Sequence, residues 1–246
     1  MVDRRVAFEG VHNFRDLGGY QTEDGRATRW GRLFRSDALH DLTIPDIELF
    51  RTLGVAAIVD LRSPNEVQRT GRGRVESEPH RFVSAPVLSN YETNERRAVV
   101  DEGYLTRRYL QYLEIGGPAF VQVFTELAEP ANYPLVFNCF LGKDRTGVVA
   151  SLVLSSVGVK RDLVVEDYAL SESPMVQIVA KLKRDPRLRE EIEGDDPILL
   201  SARRATMANF LAEVDERFGG VAAWARSAGV SSEIMAGMAD LILAET

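Results

Sequence analysis

Cysteine is almost absent from this chain: one residue, Cys139, in 246. A single thiol excludes an intrachain disulfide framework and leaves no resolving thiol for redox cycling. Histidine is nearly as scarce. His12, His40 and His80 show no metal-ligand spacing with one another or with the cysteine, so no metal and no cofactor is expected. Nothing marks any of the three as the imidazole base a cysteine protease needs. Long apolar runs are missing too. The longest, Val148 to Val159, is broken by serines and too short to span a bilayer. The opening Met-Val-Asp-Arg-Arg is not followed by the apolar core of a secretory signal. The expectation is a cytoplasmic protein without integral membrane association, with secretion by a signal-less route left open. An excess of positive charge is also lacking: 30 Lys and Arg against 37 Asp and Glu give a net charge of −7. That argues against general nucleic-acid binding and is explained by solubility.

What is present is a hydrophobic fraction of 45%, ample for a core, and one segment dense in chemistry. An apolar run, Leu135-Val136-Phe137, leads into Asn138-Cys139-Phe140-Leu141-Gly142-Lys143-Asp144-Arg145-Thr146-Gly147, and a long apolar stretch follows. The pattern predicts strand, loop and helix, with a thiol and a guanidinium facing one another across the loop. A phosphate monoester dianion repels nucleophiles until its charge is neutralised. Backbone N–H groups at a helix N-terminus, with the helix dipole, supply part of that. N–H groups curled round a concavity bind anions without any side-chain charge. Arg145 adds a planar fork of donors, and Lys143 a second positive charge. The same field favours thiolate over thiol at Cys139, which could then attack phosphorus in line. Asp144 is the nearest carboxyl able to protonate the leaving oxygen, with Asp60 as the second candidate. Gly142 suits close backbone approach and Gly147 tight packing where the helix begins. Gly142-Lys143 is not a nucleotide-binding loop: Phe137 stands where that motif needs glycine, and Asp144 where it needs Ser or Thr.

Residues Cys139 to Gly147 resemble the active-site loop of cysteine-dependent protein tyrosine phosphatases. Gly142-Lys143-Asp144-Arg145-Thr146-Gly147 is similar to the bacterial and fungal group with tyrosine, dual-specificity and phosphoinositide phosphatase activity. Asn13-Phe14-Arg15-Asp16-Leu17-Gly18-Gly19-Tyr20, Leu33-Phe34-Arg35-Ser36 and Val59-Asp60-Leu61-Arg62-Ser63 resemble the same group. Asp167-Tyr168-Ala169-Leu170-Ser171 and the Phe210-to-Gly219 region are similar more loosely. The resemblance implies a phosphatase-like α/β fold, with Cys139 as nucleophile, Arg145 as phosphoryl binder, Asp144 as acid and Thr146 bonded to the thiolate or phosphocysteine. Phe140, Leu141, Gly142, Lys143, Thr146 and Gly147 would line the substrate, and Arg62 would either join them or pair with a carboxylate. The implied partner is a phosphorylated protein or a phosphoinositide. One departure stands out: the group usually has His before the cysteine, and this chain has Asn138.

Along the rest of the chain, residues 1–35 read as short strands and turns. Thr43 to Leu53 reads as a capped helix with Ile44, Ile47 and Phe50 on one face. Val55 to Leu61 reads as a buried parallel strand, residues 62–80 as loop, and Arg81 to Leu88 as a further strand. Helices are expected over Tyr104 to Leu113, Pro118 to Leu127 and Thr146 to Val157, and again around Met207, Phe210, Leu211 and Val214. Two more small helices are expected between Val221 and Leu243. The predicted fold is α/β: a central, mostly parallel sheet flanked by helices, with C-terminal helical additions. No repeat or linker divides the chain, so one phosphatase domain over residues 1–246 is expected, with residues 170–205, including the charged run Lys181 to Asp196, as a lid or helical insertion.

Overall fold

The structure, a computed structural model, describes residues 3–87, 100–186, 189 and 196–244. Five strands make one sheet: β1 (Arg15–Asp16), β2 (Leu33–Ser36), β3 (Ala57–Asp60), β4 (Arg81–Ser84) and β5 (Leu135–Asn138), in the order β1-β2-β5-β3-β4. The short β1 is antiparallel to β2; the other pairings are parallel. The expected mostly parallel sheet is therefore present. β5 is central, with Asn138 in register with Ser36 on one side and Asp60 on the other.

Each central strand alternates strictly between two apolar layers, as a sheet covered on both faces requires. Leu33, Ala57, Val59, Leu135 and Phe137 point into the larger layer. Phe34, Ile58 and Val136 point into the smaller one. Continuing the period past β5 turns Cys139 toward the larger layer. The smaller layer is closed by α1 (Ile44–Thr52), which carries the expected capping box of Thr43 and Asp46. Ile47 and Phe50 are buried there, whereas Ile44, expected on the same face, is 63% exposed at the first turn.

The larger layer is covered by α3 (Tyr104–Ile115), α4 (Gly117–Leu127), α5 (Asp144–Ser156) and α6 (Arg161–Ala169). Further along are α7 (Glu172–Arg184), α8 (Pro197–Leu200), α9 (Arg204–Phe218), α10 (Val221–Ala228) and α11 (Ser232–Ile242). The helix around Met207 to Val214 and the two small helices between Val221 and Leu243 are where they were expected. Of the run from Lys181 to Asp196, much lies outside the described residues, as does the Leu88 end of the expected fourth strand, which is short here. Residues 62–80 are not all loop. α2 (Pro64–Thr70) begins at a capping box in which Ser63 and Glu66 satisfy each other's backbone donors. Its Ser-x-x-Glu signature was in the sequence, and the surrounding polar residues obscured it. Among the described residues, no helix is long and apolar enough to cross a membrane.

Candidate active site

The loops that follow β2, β3 and β5 meet at the C-terminal edge of the sheet, where open α/β sheets place their ligands. The loop after β5 curls from Cys139, 1% exposed, to the first turn of α5. The carbonyls of Asn138, Phe140, Leu141 and Gly142 are taken by donors from elsewhere in the chain. Leu61 N donates to Asn138 O (2.8 Å) and Ala38 N to Phe140 O (3.1 Å). Asn13 Nδ2 donates to Leu141 O (3.1 Å), and an Arg35 guanidinium nitrogen to Gly142 O (2.8 Å). With the carbonyls turned outward, the amides turn the other way. Among the described residues, no acceptor meets the backbone N–H groups of residues 140–146. Unpartnered N–H groups around a helix start form an anion-holding nest. The curl depends on Gly142, which has φ +66°; a Cβ there would lie 2.4 Å from Asp37 N. Gly147 opens the way for Tyr168, whose ring would lie 2.9 Å from a Cβ at that position.

The motifs at Asn13, Arg35 and Asp167, far apart in sequence, converge into one buried network beneath this loop. Asp167 accepts from Arg15 Nε (3.0 Å), from Arg35 (2.5 Å) and from the Tyr20 hydroxyl (2.9 Å). Arg15 also reaches the Asn13 side chain, the Asp167 carbonyl (2.7 Å) and Ser171 Oγ (3.1 Å). Burial raises the Asp167 carboxyl, but the two guanidinium groups outweigh it and hold the acid well below the usual carboxylate range. Sequence resemblance singled out these motifs without their roles. In space they are the scaffold that grips Leu141 O and Gly142 O.

Arg145 projects from the first turn of α5 and is gripped end-on by Glu66 of α2, at 2.5 and 2.6 Å. Its NH1 also approaches Leu61 O (3.4 Å); Nε lies outside that grip. Burial pushes the Glu66 carboxyl up, but the Arg145 charge and the Ser63 cap bring it down to about 2. Glu66 was missed because it lay in a stretch read as loop; only its place in the capping box marked it as fixed.

Asp144 follows Lys143 at the helix start and is 21% exposed. Its Oδ1 accepts from the Tyr109 hydroxyl (2.7 Å) and from Lys143 Nζ (2.8 Å). Burial raises its carboxyl, and Lys143, Arg108 and Tyr109 together more than offset this, so Asp144 lies below its ordinary pKa.

Lys143 is placed differently from the expectation. It is fully buried, and Nζ donates to Leu199 O (2.8 Å) and Ser201 O (3.1 Å) as well as to Asp144. Two hydrogen bonds and an ion pair hold its Nζ within the protein, so it tethers the turn after α8 to the loop. Of the two alternatives for Arg62, the structure shows the pairing with a carboxylate. Its Nε and NH2 close on Asp60 (2.9 and 2.6 Å), and NH1 on Thr70 Oγ1 (3.0 Å) and Gly71 O (3.1 Å). The same pair occupies Asp60, the second candidate acid. The Thr146 hydroxyl is buried and turned to Ser36 O (3.5 Å). Asn138 donates to Asp60 (3.4 Å), and its Oδ1 is buried without a partner among the described residues. Phe140 and Leu141 are half-buried and pack on Met175, Ile178 and Leu182 of α7.

The site thus joins a buried thiol, a loop whose amides have no acceptor among the described residues, a clamped arginine and a carboxyl. Residues 6–244 match the model of the tyrosine phosphatase family. The chain belongs to that family, and it is a phosphoric monoester hydrolase of the protein-tyrosine-phosphatase type. It is 31% identical over 274 aligned positions to the triple specificity protein phosphatase PtpB of Mycobacterium tuberculosis, covering 95% of this chain and 97% of that protein. It is 30% identical to a putative tyrosine-protein phosphatase of Cupriavidus necator, covering 70% and 64%. Among solved structures, the catalytic core of Siw14 aligns with a TM-score of 0.42 and 16% identity over 84% of this chain and 98% of that one.

Proposed function

We propose that the protein hydrolyses phosphotyrosine through a phosphocysteine at position 139. The observation that supports this reading is the capture of the carbonyls of Phe140, Leu141 and Gly142 by outside donors, which turns the peptide N–H groups that follow them to the opposite side of the loop, where no acceptor meets them among the described residues. In the first step the Cys139 thiolate forms a bond to phosphorus as the bond to the leaving oxygen breaks. The amides and Arg145 hold the equatorial oxygens, and Asp144 gives its proton to the leaving phenoxide. In the second step Asp144, now a carboxylate, takes a proton from water. The water oxygen bonds to phosphorus, the thiolate departs and phosphate is released. In the free protein Asp144 lies low, so it is mostly ionised at neutral pH. A bound dianion pushes it up, so the acid is loaded together with substrate, and turnover should fall as pH rises through the Asp144 range.

The engaged Lys143 removes the cationic reason for preferring a polyphosphorylated head group, which favours phosphotyrosine over phosphoinositides. Phosphoserine and phosphothreonine belong in the substrate panel because the mycobacterial relative is named for triple specificity. The test is hydrolysis of p-nitrophenyl phosphate and of a phosphotyrosine peptide by wild type and Cys139→Ser. Cys139→Ser should abolish turnover while still binding the peptide, and rapid quench of wild type should yield a labelled phosphocysteine. Turnover retained in Cys139→Ser would refute the mechanism. Binding without turnover in wild type would make the site a recognition module.

A further inference from the structure

We infer that Tyr109 is a positioning residue for this reaction: by holding Oδ1 of Asp144, it makes Oδ2 the oxygen that carries the proton to the leaving group. The inference rests on Asp144 being the acid, as read above. Tyr109 lies on α3, and its hydroxyl donates to Oδ1 at 2.7 Å. Lys143 Nζ reaches the same oxygen at 2.8 Å. Among the described residues, no donor meets Oδ2. Two donors on one carboxylate oxygen occupy its lone pairs, so a proton arriving at the carboxyl must bind the other oxygen. The proton is thereby placed on one defined atom and is not shared between two.

A second hydroxyl fixes the first. Tyr168 Oη lies 2.8 Å from Tyr109 Oη. Since the Tyr109 proton is committed to Asp144, Tyr168 is the donor in that pair. The chain therefore runs from α6 through α3 to the first residue of α5. Tyr168 follows Asp167, the centre of the network beneath the loop, so acid and loop are held by adjacent residues. The Tyr109 ring is fully buried, edge-on to Tyr168 and Phe210 with centroids 6.0 Å away in each case. Burial, with the Asp144 charge, keeps its hydroxyl protonated far into the alkaline range, so it donates at every working pH. The charged and titratable groups facing Asp144 are Lys143 on its own loop, Arg108, Tyr109 and Tyr112 on α3, and Tyr168 on α6.

The test is Tyr109→Phe, which keeps the packed ring and deletes the donor. kcat is measured against pH with p-nitrophenyl phosphate, whose leaving group departs almost unaided, and with phenyl phosphate, whose leaving group needs the proton. The phenyl phosphate rate should fall about tenfold, and the p-nitrophenyl phosphate rate by a smaller factor, at most about threefold. Losing a donor to the carboxylate raises its pKa, so the descending limb for phenyl phosphate should move to higher pH. Tyr168→Phe should move it the same way by less, and serves if Tyr109→Phe fails to fold. Equal losses on both substrates, or an unmoved limb in the folded variants, would overturn the inference. Asp144→Asn separates the two failures. If it keeps the descending limb, Asp144 is not the acid and both readings fall. If it loses the limb while Tyr109→Phe behaves as wild type, only the role of Tyr109 falls.

Discussion

Replacing Glu66 by Gln should destabilise the protein at neutral pH and hardly at all in strong acid. Glu66 is 7% exposed, accepts both arms of the Arg145 fork and takes the Ser63 N–H at 2.7 Å. Its carboxyl falls from an ordinary 4.5 to about 2. At about 1.4 kcal/mol per pH unit, that fall corresponds to on the order of 3 kcal/mol of extra stability in the ionised state. The same size is expected from breaking a buried pair and leaving one charge alone, about 3–5 kcal/mol. The pH window follows from the sign. A carboxyl lowered on folding contributes fully above the unfolded pKa and loses its contribution as pH falls through the folded one. Integrated between these two values, about 1.4 kcal/mol of the difference remains at pH 3. Urea unfolding of wild type and Glu66→Gln at pH 7, 4 and 3 isolates this one group, because every other carboxyl is common to both chains. Gln keeps the shape and can still accept from Ser63, so the difference reports the charge. A gap below about 1 kcal/mol at pH 7, or one that does not shrink toward pH 3, would refute the pairing as a source of stability. The activity readout is independent: an arginine freed from its clamp should raise KM for p-nitrophenyl phosphate more than it lowers thermal stability would explain.

Gly142→Ala forces a side chain into a left-handed residue and against Asp37 N. It should cost about 1–3 kcal/mol and lower kcat/KM by about a hundredfold through displacement of the amide ring; wild-type kinetics would show that the curl is not needed. Asp167→Asn leaves Arg15 and Arg35 buried with their shared counter-charge gone. It should destabilise by about 3–5 kcal/mol in urea. Because folding lowers the Asp167 carboxyl, the gap between the variant and wild type should narrow only as pH falls below about 4.

The sheet was legible because its strands obey one rule. Val59, Val136 and Phe137 could be assigned from short apolar runs bounded by turn residues, and burial on both faces made those runs nearly continuous. The places of Cys139 and Arg145, just past β5 and on the first turn of α5, were legible because an apolar strand and an apolar helix flank a short polar loop. Partner choice was not. Lys143 is a cation inside a phosphate-type loop, and sequence alone gives no reason to turn it from the ligand. Its answer lies in Leu199 O and Ser201 O, backbone carbonyls that no residue type announces. Glu66 was hidden for the opposite reason. Its signature was local and readable, but a charged, glycine-rich context outweighed four residues of capping pattern. Ile44 shows the limit of periodicity: its position on the helix face was right, but at the first turn that face has run past the core.

The pairing pattern changes where the attraction for phosphate comes from. Arg145 is matched by Glu66, Lys143 by Asp144 and Arg62 by Asp60, each within 2.8 Å. Three cations that look like an electropositive bowl in the sequence form three nearly neutral pairs in the fold. What is left unmatched is the ring of amides, fixed by the Asn13, Ala38 and Arg35 donors behind it. Dipoles held this way need no reorganisation when the anion arrives and favour it by geometry. Selectivity then falls to the shape of the amide ring and to the wall that Phe140 and Leu141 form with α7. Both of these are built from carbonyl directions and apolar contacts, the two features that a list of charged residues does not contain.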